Sequence, residues 1–493
     1  MTSTLDQTRV TPVDLDATPA TGGDPPVPEI SDAANPALGP MTQRRVLGMA
    51  IPIIGENLLQ TSVGAVDTFM VARVGEAALA EVGTSVELIF FIISILIAVE
   101  IGATVLIAQA IGAGDGERAN RLARQAVVWG VVIAIPVSLF GFLASEPVIA
   151  LFGVEPDVAD AATTYLRITT ATTITLLLSL LCGAVLRGAG DSRTPLMAAT
   201  VANVVNVGAA YLLIFGHVGL PELGVAGSAW AATIGRAVGA SILLALLFGG
   251  RRKVSIRGRV GWRPDPSTGR RFLKLGVPTA VEQGLMAGGF TTMMAVVAVL
   301  GTASLAAQQI GFTALSIAFM PGFGFAIAAT ALVGQSIGAG DLWAAREAAR
   351  LATFWAVLWM AAGGVLYFVL AEPVMLLFTD DPEVVGIGVR APRALSVGLP
   401  FWAIWSVNGG ALRGSGDTRT PMIMGAVSVW SAVGLAFVLV RWFDGGLGWV
   451  WLTFFFTAPL GALGNWLALR KRLRPGADVA ALAVAAGPGG AGH

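Results

Sequence analysis

Apolar residues run in long blocks along almost the whole chain, separated by short polar breaks. Twelve blocks can be delimited: 47–71, 84–109, 123–144, 163–186, 195–215 and 224–249, then 275–299, 310–333, 351–370, 389–412, 421–441 and 447–469. An α-helix of roughly 20 predominantly apolar residues crosses a hydrocarbon core of about 30 Å. In lipid a spanning segment must satisfy its own backbone hydrogen bonds, so each block is predicted to be a helix. Composition points the same way: 55% hydrophobic residues, 13% charged, and a mean hydropathy of +0.75 exclude an ordinary soluble domain. The fold class expected is all-α integral membrane.

A second pattern lies over the first. Leu186-Arg187-Gly188-Ala189-Gly190-Asp191-Ser192-Arg193-Thr194-Pro195 returns as Leu412-Arg413-Gly414-Ser415-Gly416-Asp417-Thr418-Arg419-Thr420-Pro421, 226 positions later. The same offset carries Gly112-Ala113-Gly114-Asp115 onto Gly338-Ala339-Gly340-Asp341, Glu146-Pro147 onto Glu372-Pro373, and Pro52 and Glu56 onto Pro278 and Glu282. So long a period is a duplication of the first half rather than a solenoid. The organisation expected is a disordered cytoplasmic tail over 1–41, a six-helix bundle over 42–249, a basic cytoplasmic linker over 250–271, a second six-helix bundle over 272–470, and a tail over 471–493. The first forty residues lack the basic and apolar regions of a signal peptide, and their polar, Pro-rich composition predicts disorder.

Charge then orients the helices. Formal net charge is zero, with 31 basic and 31 acidic residues, so only its distribution is informative. Arg44, Arg45, Arg118, Arg121, Arg124, Arg187, Arg193, the Arg- and Lys-rich 250–274 stretch, Arg346, Arg350, Arg413, Arg419 and the cluster from Arg470 to Arg474 fall on one side. The other side keeps Arg73, Arg167, Arg390, Arg393 and Arg441, with acidic loops at 145–160 and 371–387. By the positive-inside rule both termini are expected in the cytoplasm. Six spans per half is even, so both halves enter the membrane the same way round. The pseudo-two-fold axis relating them therefore runs along the membrane normal.

The glycine-rich turns are not nucleotide loops: no strand precedes them, the G-x-G-x-x-G spacing is absent, and no P-loop Lys-Ser/Thr follows. Glycine ending a helix in the left-handed region is the better account, with Thr194 capping the next helix and Pro195 in its first turn. Arg187 with Asp191, and Arg413 with Asp417, are expected to pair within these turns. A single cysteine, Cys182, and a single internal histidine, His217, leave no disulfide framework and no Cys- or His-based metal centre to expect. No cofactor and no nucleic-acid partner is expected.

What chemistry remains lies in the acids within the apolar blocks, because a carboxylate in a bilayer costs about 2.5–3.5 kcal/mol on insertion scales and marks function by default. Glu56 and Asp67, eleven residues apart, share one face of the first helix about 16 Å apart along its axis. Glu282 is the repeat partner of Glu56, and the two are expected to approach the central axis at one depth. Asp67 has no acidic partner; its equivalent is Met293. Glu100 falls near the midplane of the second helix, while Glu87 sits in a first turn, where it is cheap. These acids either lock helices together through Arg or Asn partners or line a cavity with Gln60 and Gln283. A carboxyl at such depth can carry a proton or, with further oxygen ligands, hold Na⁺. Pro52, Pro278 and Pro321 interrupt helical segments and are candidate kinks.

With Pro52…Val66-Asp67-Thr68 followed by Gly75, Ala108-Gln109…Gly112-Ala113-Gly114-Asp115 and the duplicated Arg-Gly-x-Gly-Asp-x-Arg-Thr-Pro turn, the chain over about residues 42–470 resembles the multidrug and toxic compound extrusion (MATE) family. The resemblance implies twelve helices in two bundles forming a V. It also implies export of organic cations and other amphipathic compounds against inward H⁺ or Na⁺, in the cell membrane, by a protein that is not an enzyme. It matches the family's first-helix aspartate to Asp67 and a fifth-helix asparagine to Asn206, as the ion-coupling pair. Ala210, Met286 and Trp402 stand where some members carry acids, so H⁺ and Na⁺ both stay open. On this reading Glu56, Glu282 and Glu100 give the cavity a negative potential, the substrate is a small amphipathic or cationic molecule, and the protein works as a monomer in the lipid bilayer. Two rivals stand beside it: a flippase for lipid-linked precursors or polysaccharides from the related superfamily, which would need a basic lining, and an integral-membrane enzyme or receptor, of which the enzyme would need a clustered nucleophile, metal or basic catalytic group near one interface.

Overall fold

The computed structural model describes residues 39–73, 93, 96–150, 156–443 and 445–483. Among the described residues the regular structure is entirely helical. The first half runs α1 (Gln43–Ala72), α2 (Leu96–Gly112), α3 (Gly116–Ala150), α4 (Pro156–Ala171), α5 (Thr173–Gly188), α6 (Arg193–Phe215) and α7 (Gly224–Phe248). The second runs α8 (Pro266–Ala298), α9 (Thr302–Gly338), α10 (Leu342–Val369), α11 (Ala371–Leu376), α12 (Pro382–Ser396), α13 (Leu399–Gly414), α14 (Arg419–Trp442) and α15 (Leu447–Arg472), with a last short turn α16 (Val479–Leu482).

The apolar blocks read as twelve helical spans correspond to helices that differ from them in three ways. Block 163–186 is two helices, α4 and α5, that meet at Thr172 with a bend of 46°. Thr170 and Thr172 there donate their hydroxyls to the carbonyls of Leu166 (2.7 Å) and Ile168 (2.8 Å), and Thr172 also meets Thr233 of α7 at 2.9 Å. Threonine bonding back to its own helix bends it. Block 389–412 is likewise divided into α12 and α13, with Gly398 before α13 and Pro400 in its first turn. Several helices also overrun their blocks. α3 continues through Pro136 and Pro147 into the predicted outer loop, and α8 begins at Pro266, inside the predicted linker. The α8 start is set locally: Pro266 occupies the first helical position, and the Asp265 side chain accepts from the backbone N–H of Ser267 and Thr268. Helices α1, α8 and α9 carry Pro52, Pro278 and Pro321 internally.

The duplicated turns are built alike. Gly190 and Gly416 take φ of +87° and +86°, and Gly114 and Gly340 take +74° and +79°, the left-handed values that glycine ends a helix with. The cap on the following helix is not Thr194, as the sequence suggests, but Asp191. Its carboxylate accepts from Thr194 N–H (3.0 Å) and Thr194 Oγ1 (2.6 Å), and Asp417 does the same for Thr420 at 3.0 and 2.8 Å. With the aspartates so occupied, the expected pairs Arg187–Asp191 and Arg413–Asp417 do not form; Asp191 meets Arg252 of the linker instead, at 3.2 Å.

At the end of the molecule bearing these turns the two halves interlock reciprocally. Gln109 Nε2 donates to the Gly414 carbonyl (3.2 Å), and its repeat counterpart Gln335 donates to the Gly188 carbonyl (2.9 Å). A Cβ on Gly112 would overlap the Gln335 carbonyl, and one on Gly338 would overlap the Gln109 carbonyl. Small residues that let backbones touch are how membrane helices associate, since lipid supplies no hydrophobic drive between them. The connection between the halves is held down rather than free. Arg124 of α3 donates to the Arg257 carbonyl (2.9 Å), Gln125 to those of Gly261 (2.7 Å) and Arg263 (2.6 Å), and Trp129 to that of Asp265 (3.1 Å).

Candidate functional site: buried charge in two halves

Arg187 and Arg413 sit in the last turns of α5 and α13, where sequence places them at the membrane surface. Both side chains turn back into the protein. Arg187 donates from Nη1 to both oxygens of Glu56 (3.2 and 3.1 Å) and from Nη2 to Glu100 (2.9 Å), joining α5 to α1 and α2. Arg413 donates from Nη2 to both oxygens of Glu282, each at 2.8 Å, joining α13 to α8. Glu282 is only 1% exposed.

This geometry corrects the expectation that Glu56, Glu282 and Glu100 form a bare negative lining: each is bound to a guanidinium of its own half. Glu56 and Glu282, related by the repeat, pair with arginines that are likewise related by the repeat. The networks differ in one group. The counterpart of Glu100 is Ala326, so the first half has two carboxylates on one cation and the second has one on one. Sequence reasoning missed the arginines as partners. The available signal was Gly183, four residues before Arg187: a Cβ on Gly183 would stand 2.9 Å from Arg187 Nη1, so glycine there leaves the guanidinium room to lie back along its own helix.

Asp67 is a different case. Its Oδ2 accepts from Ser228 Oγ of α7 at 2.7 Å, while Oδ1 is buried with no hydrogen-bond partner among the described residues. Tyr165 of α4 and Arg236 of α7 stand close enough to act on it electrostatically. No ion pair within 4.0 Å forms between Asp67 and Arg236. Ser228 and Tyr165 were not singled out from sequence; Ser228 lies in a run of small residues, where Gly227 lets α7 close onto the Leu213 backbone of α6.

Asn206 of α6 is 8% exposed, and its Oδ1 is likewise buried without a partner among the described residues. It meets α7 at Gly235, where a Cβ would stand 2.8 Å from the Asn206 Cβ. Gly235 is seven residues beyond Ser228, which is about 10 Å along the helix, so the two unpaired oxygens face different levels of α7. No hydrogen bond links Asp67 to Asn206. Gln60 is exposed and Gln283 half-buried, each without a hydrogen bond among the described residues. Glu87 lies outside the described residues.

Two repeated sets of membrane-spanning helices enclosing buried charge define a class, the membrane transporters built from parallel repeats. Comparison with known proteins gives the family. The MatE family profile matches residues 52–212 and again 278–438. A probable multidrug resistance protein NorM of Thermotoga maritima is 32% identical over 416 residues, covering 84% of this chain and 89% of its own. The multidrug resistance protein NorM of Burkholderia vietnamiensis is 30% identical over 441 residues, covering 88% and 94%. Among solved structures, an outward-facing multidrug resistance MATE family transporter of the MOP superfamily superposes with a TM-score of 0.83 at 22% identity, covering 90% of this chain and 97% of the other. A MOP superfamily transporter from Pyrococcus furiosus also gives 0.83, at 21% identity over 89% and 97%. The chain belongs to the MATE family, with its fold of twelve helices in two bundles; it is a multi-pass membrane transporter and not an enzyme.

Proposed function

We propose that the protein is a secondary active antiporter that exports organic cations or other amphipathic compounds from the cytoplasm in exchange for H⁺ or Na⁺ entering at Asp67. The observation that carries this reading is the Asp67 carboxylate: one oxygen held by Ser228, the other buried and unpaired among the described residues. A proton or a hard cation on that oxygen would relieve the cost of leaving it unsolvated. Asn206, with its own unpaired oxygen in the same half, offers a second station along α7. A cation can shift the conformational balance only by binding one state better than the other, and Asp67, on α1, draws its neighbours from two further helices of the same bundle, α4 and α7. The Lys and Arg distribution supports an inner-membrane orientation with both termini cytoplasmic, which puts the interlocked end of the halves inside and the exit path outside. With Glu282 balanced by Arg413, attraction of cationic cargo falls to Asp67 and to the surplus carboxylate of the Glu56–Glu100–Arg187 network. The test is efflux of a fluorescent organic cation from proteoliposomes with Na⁺ and pH gradients imposed separately. One gradient is expected to drive transport, and Asp67→Asn to abolish it with the protein still folded; efflux at the wild-type rate in that variant would refute the coupling role.

A further inference from the structure

At the end of the molecule bearing the duplicated turns, the first half seals the space between α3, α5 and α7 with the chain's own linker. Val254 and Ile256 are wholly buried there, in one core cluster with Val127, Cys182 and Leu247. Ser255 N–H donates to Asn120 Oδ1 at 2.7 Å, and the Trp262 ring stacks on Phe248 with centres 5.9 Å apart. The repeat carries Asn120, Arg124 and Cys182 onto Arg346, Arg350 and Asn408. In the second half these three line an open space, a cavity of about 580 Å³ between α10, α13 and α15.

Four arginines line it, Arg346, Arg350, Arg470 and Arg474, and no acidic side chain does. Glu347 pairs with Arg350 at 2.6 Å; none of the other three has an ion pair among the described residues. The Arg350 side chain is 70% exposed, and Arg470 and Arg474 are exposed too, so their charge stands at the mouth and is open to a ligand. The flank of the cavity is apolar. Phe354 and Trp466 line it and are both exposed, and the Arg470 guanidinium lies 5.3 Å over the Trp466 ring. An arginine one turn beyond a tryptophan is how a helix meets the membrane surface, the ring at headgroup level and the charge in water. Guanidinium forks match phosphate oxygens, the volume is that of a small-ligand site, and basic pockets between spanning helices on the cytoplasmic side suit anionic headgroups. A soluble anion would satisfy the arginines and leave the two rings bare; a neutral lipid would do the reverse. We infer that this cavity holds the phosphate headgroup of one anionic phospholipid of the cytoplasmic leaflet. With its acyl chains along Phe354 and Trp466, the lipid does for the second half what the linker does for the first. The site is independent of the coupling ion and the cargo; only the naming of the leaflet rests on the orientation proposed above.

The test is native mass spectrometry of the full chain in detergent micelles, given equal amounts of phosphatidylglycerol and phosphatidylcholine with identical acyl chains. One phosphatidylglycerol is expected to stay bound in preference to phosphatidylcholine. Arg470→Gln with Arg474→Gln should cut that preference roughly ten-fold or more, each arginine near an anionic headgroup being worth about five-fold. Arg474→Glu alone, on an exposed side chain beyond the end of α15, should give a loss of similar size with thermal unfolding unchanged in the absence of lipid. Arg251→Gln with Lys253→Gln removes the same charge from the linker and should leave the preference as in the wild type. Equal retention of the two lipids, wild-type preference in the arginine variants, or as large a loss in the linker variant would each overturn the site. Displacement of the lipid by excess inorganic phosphate would assign the arginines to a soluble phosphate and overturn it as well.

Discussion

A buried carboxylate is tolerated in proportion to what faces it, and the two arginine networks make that comparison within one molecule. Removing one partner from a buried ion pair typically costs about 3–5 kcal/mol, because the charge left behind is unsolvated. Arg413→Gln strands Glu282, its sole cationic partner gone, and should fall in that range. Glu100→Gln removes the surplus acid while Arg187 keeps Glu56, and should cost far less. Thermal unfolding in detergent checks the ordering; a Glu100→Gln variant less stable than Arg413→Gln would contradict it. At this scale sequence was a partial guide. The acids could be picked out one by one, since a carboxylate in an apolar block is conspicuous. Their partners could not, because Arg187 and Arg413 sit in surface turns and fold inward, Arg187 past the space that Gly183 leaves. Ser228, a small hydroxyl among small residues, gave no warning that it would hold Asp67.

Among helices, hydrophobic blocks located the spans but not their ends. The reason is that lipid constrains only the buried middle of a helix, while starts and stops are set by single caps. Asp265 shows this for α8. Hydrogen bonds from Thr268, and then from Ser267, hold its carboxyl below the usual range. A carboxylate of lowered folded-state value stabilises fully above its unfolded value, about 3.9. That contribution is lost as pH falls through the lowered value. Asp265→Ala should therefore cost about 1 kcal/mol near neutral pH, as loss of an N-cap does, and the gap from the wild type should narrow as pH falls below about 3.9. A gap constant with pH in detergent unfolding would show that the cap is not what is lost. The bend between α4 and α5 was beyond the reach of periodicity for a related reason. Thr170 and Thr172 read as ordinary span residues until their hydroxyls are seen bonded to the preceding turn.

In the whole molecule, the duplication was fully legible as a constant offset, and the interlock of the halves was not. Nothing in one sequence says that Gln109 reaches across to Gly414 while Gln335 reaches back to Gly188. The glycines at this junction carry a consequence of their own. Elsewhere, Gly→Ala in a helix is worth up to about 1 kcal/mol in favour of alanine. At Gly112 or Gly338 the added methyl meets a carbonyl of the opposite half, and overpacking of that kind costs about 1–3 kcal/mol. The balance should loosen the interlocked end of the molecule, lengthening the distance between spin labels placed at Ala113 and Ala339; an unaltered distance would show that the junction yields without parting. Self-complementarity adds a stricter demand. Because each glycine receives the other half's backbone in the same manner, the two substitutions should be interchangeable in their effect, a twin injury that no contact arising in only one half of the chain could produce.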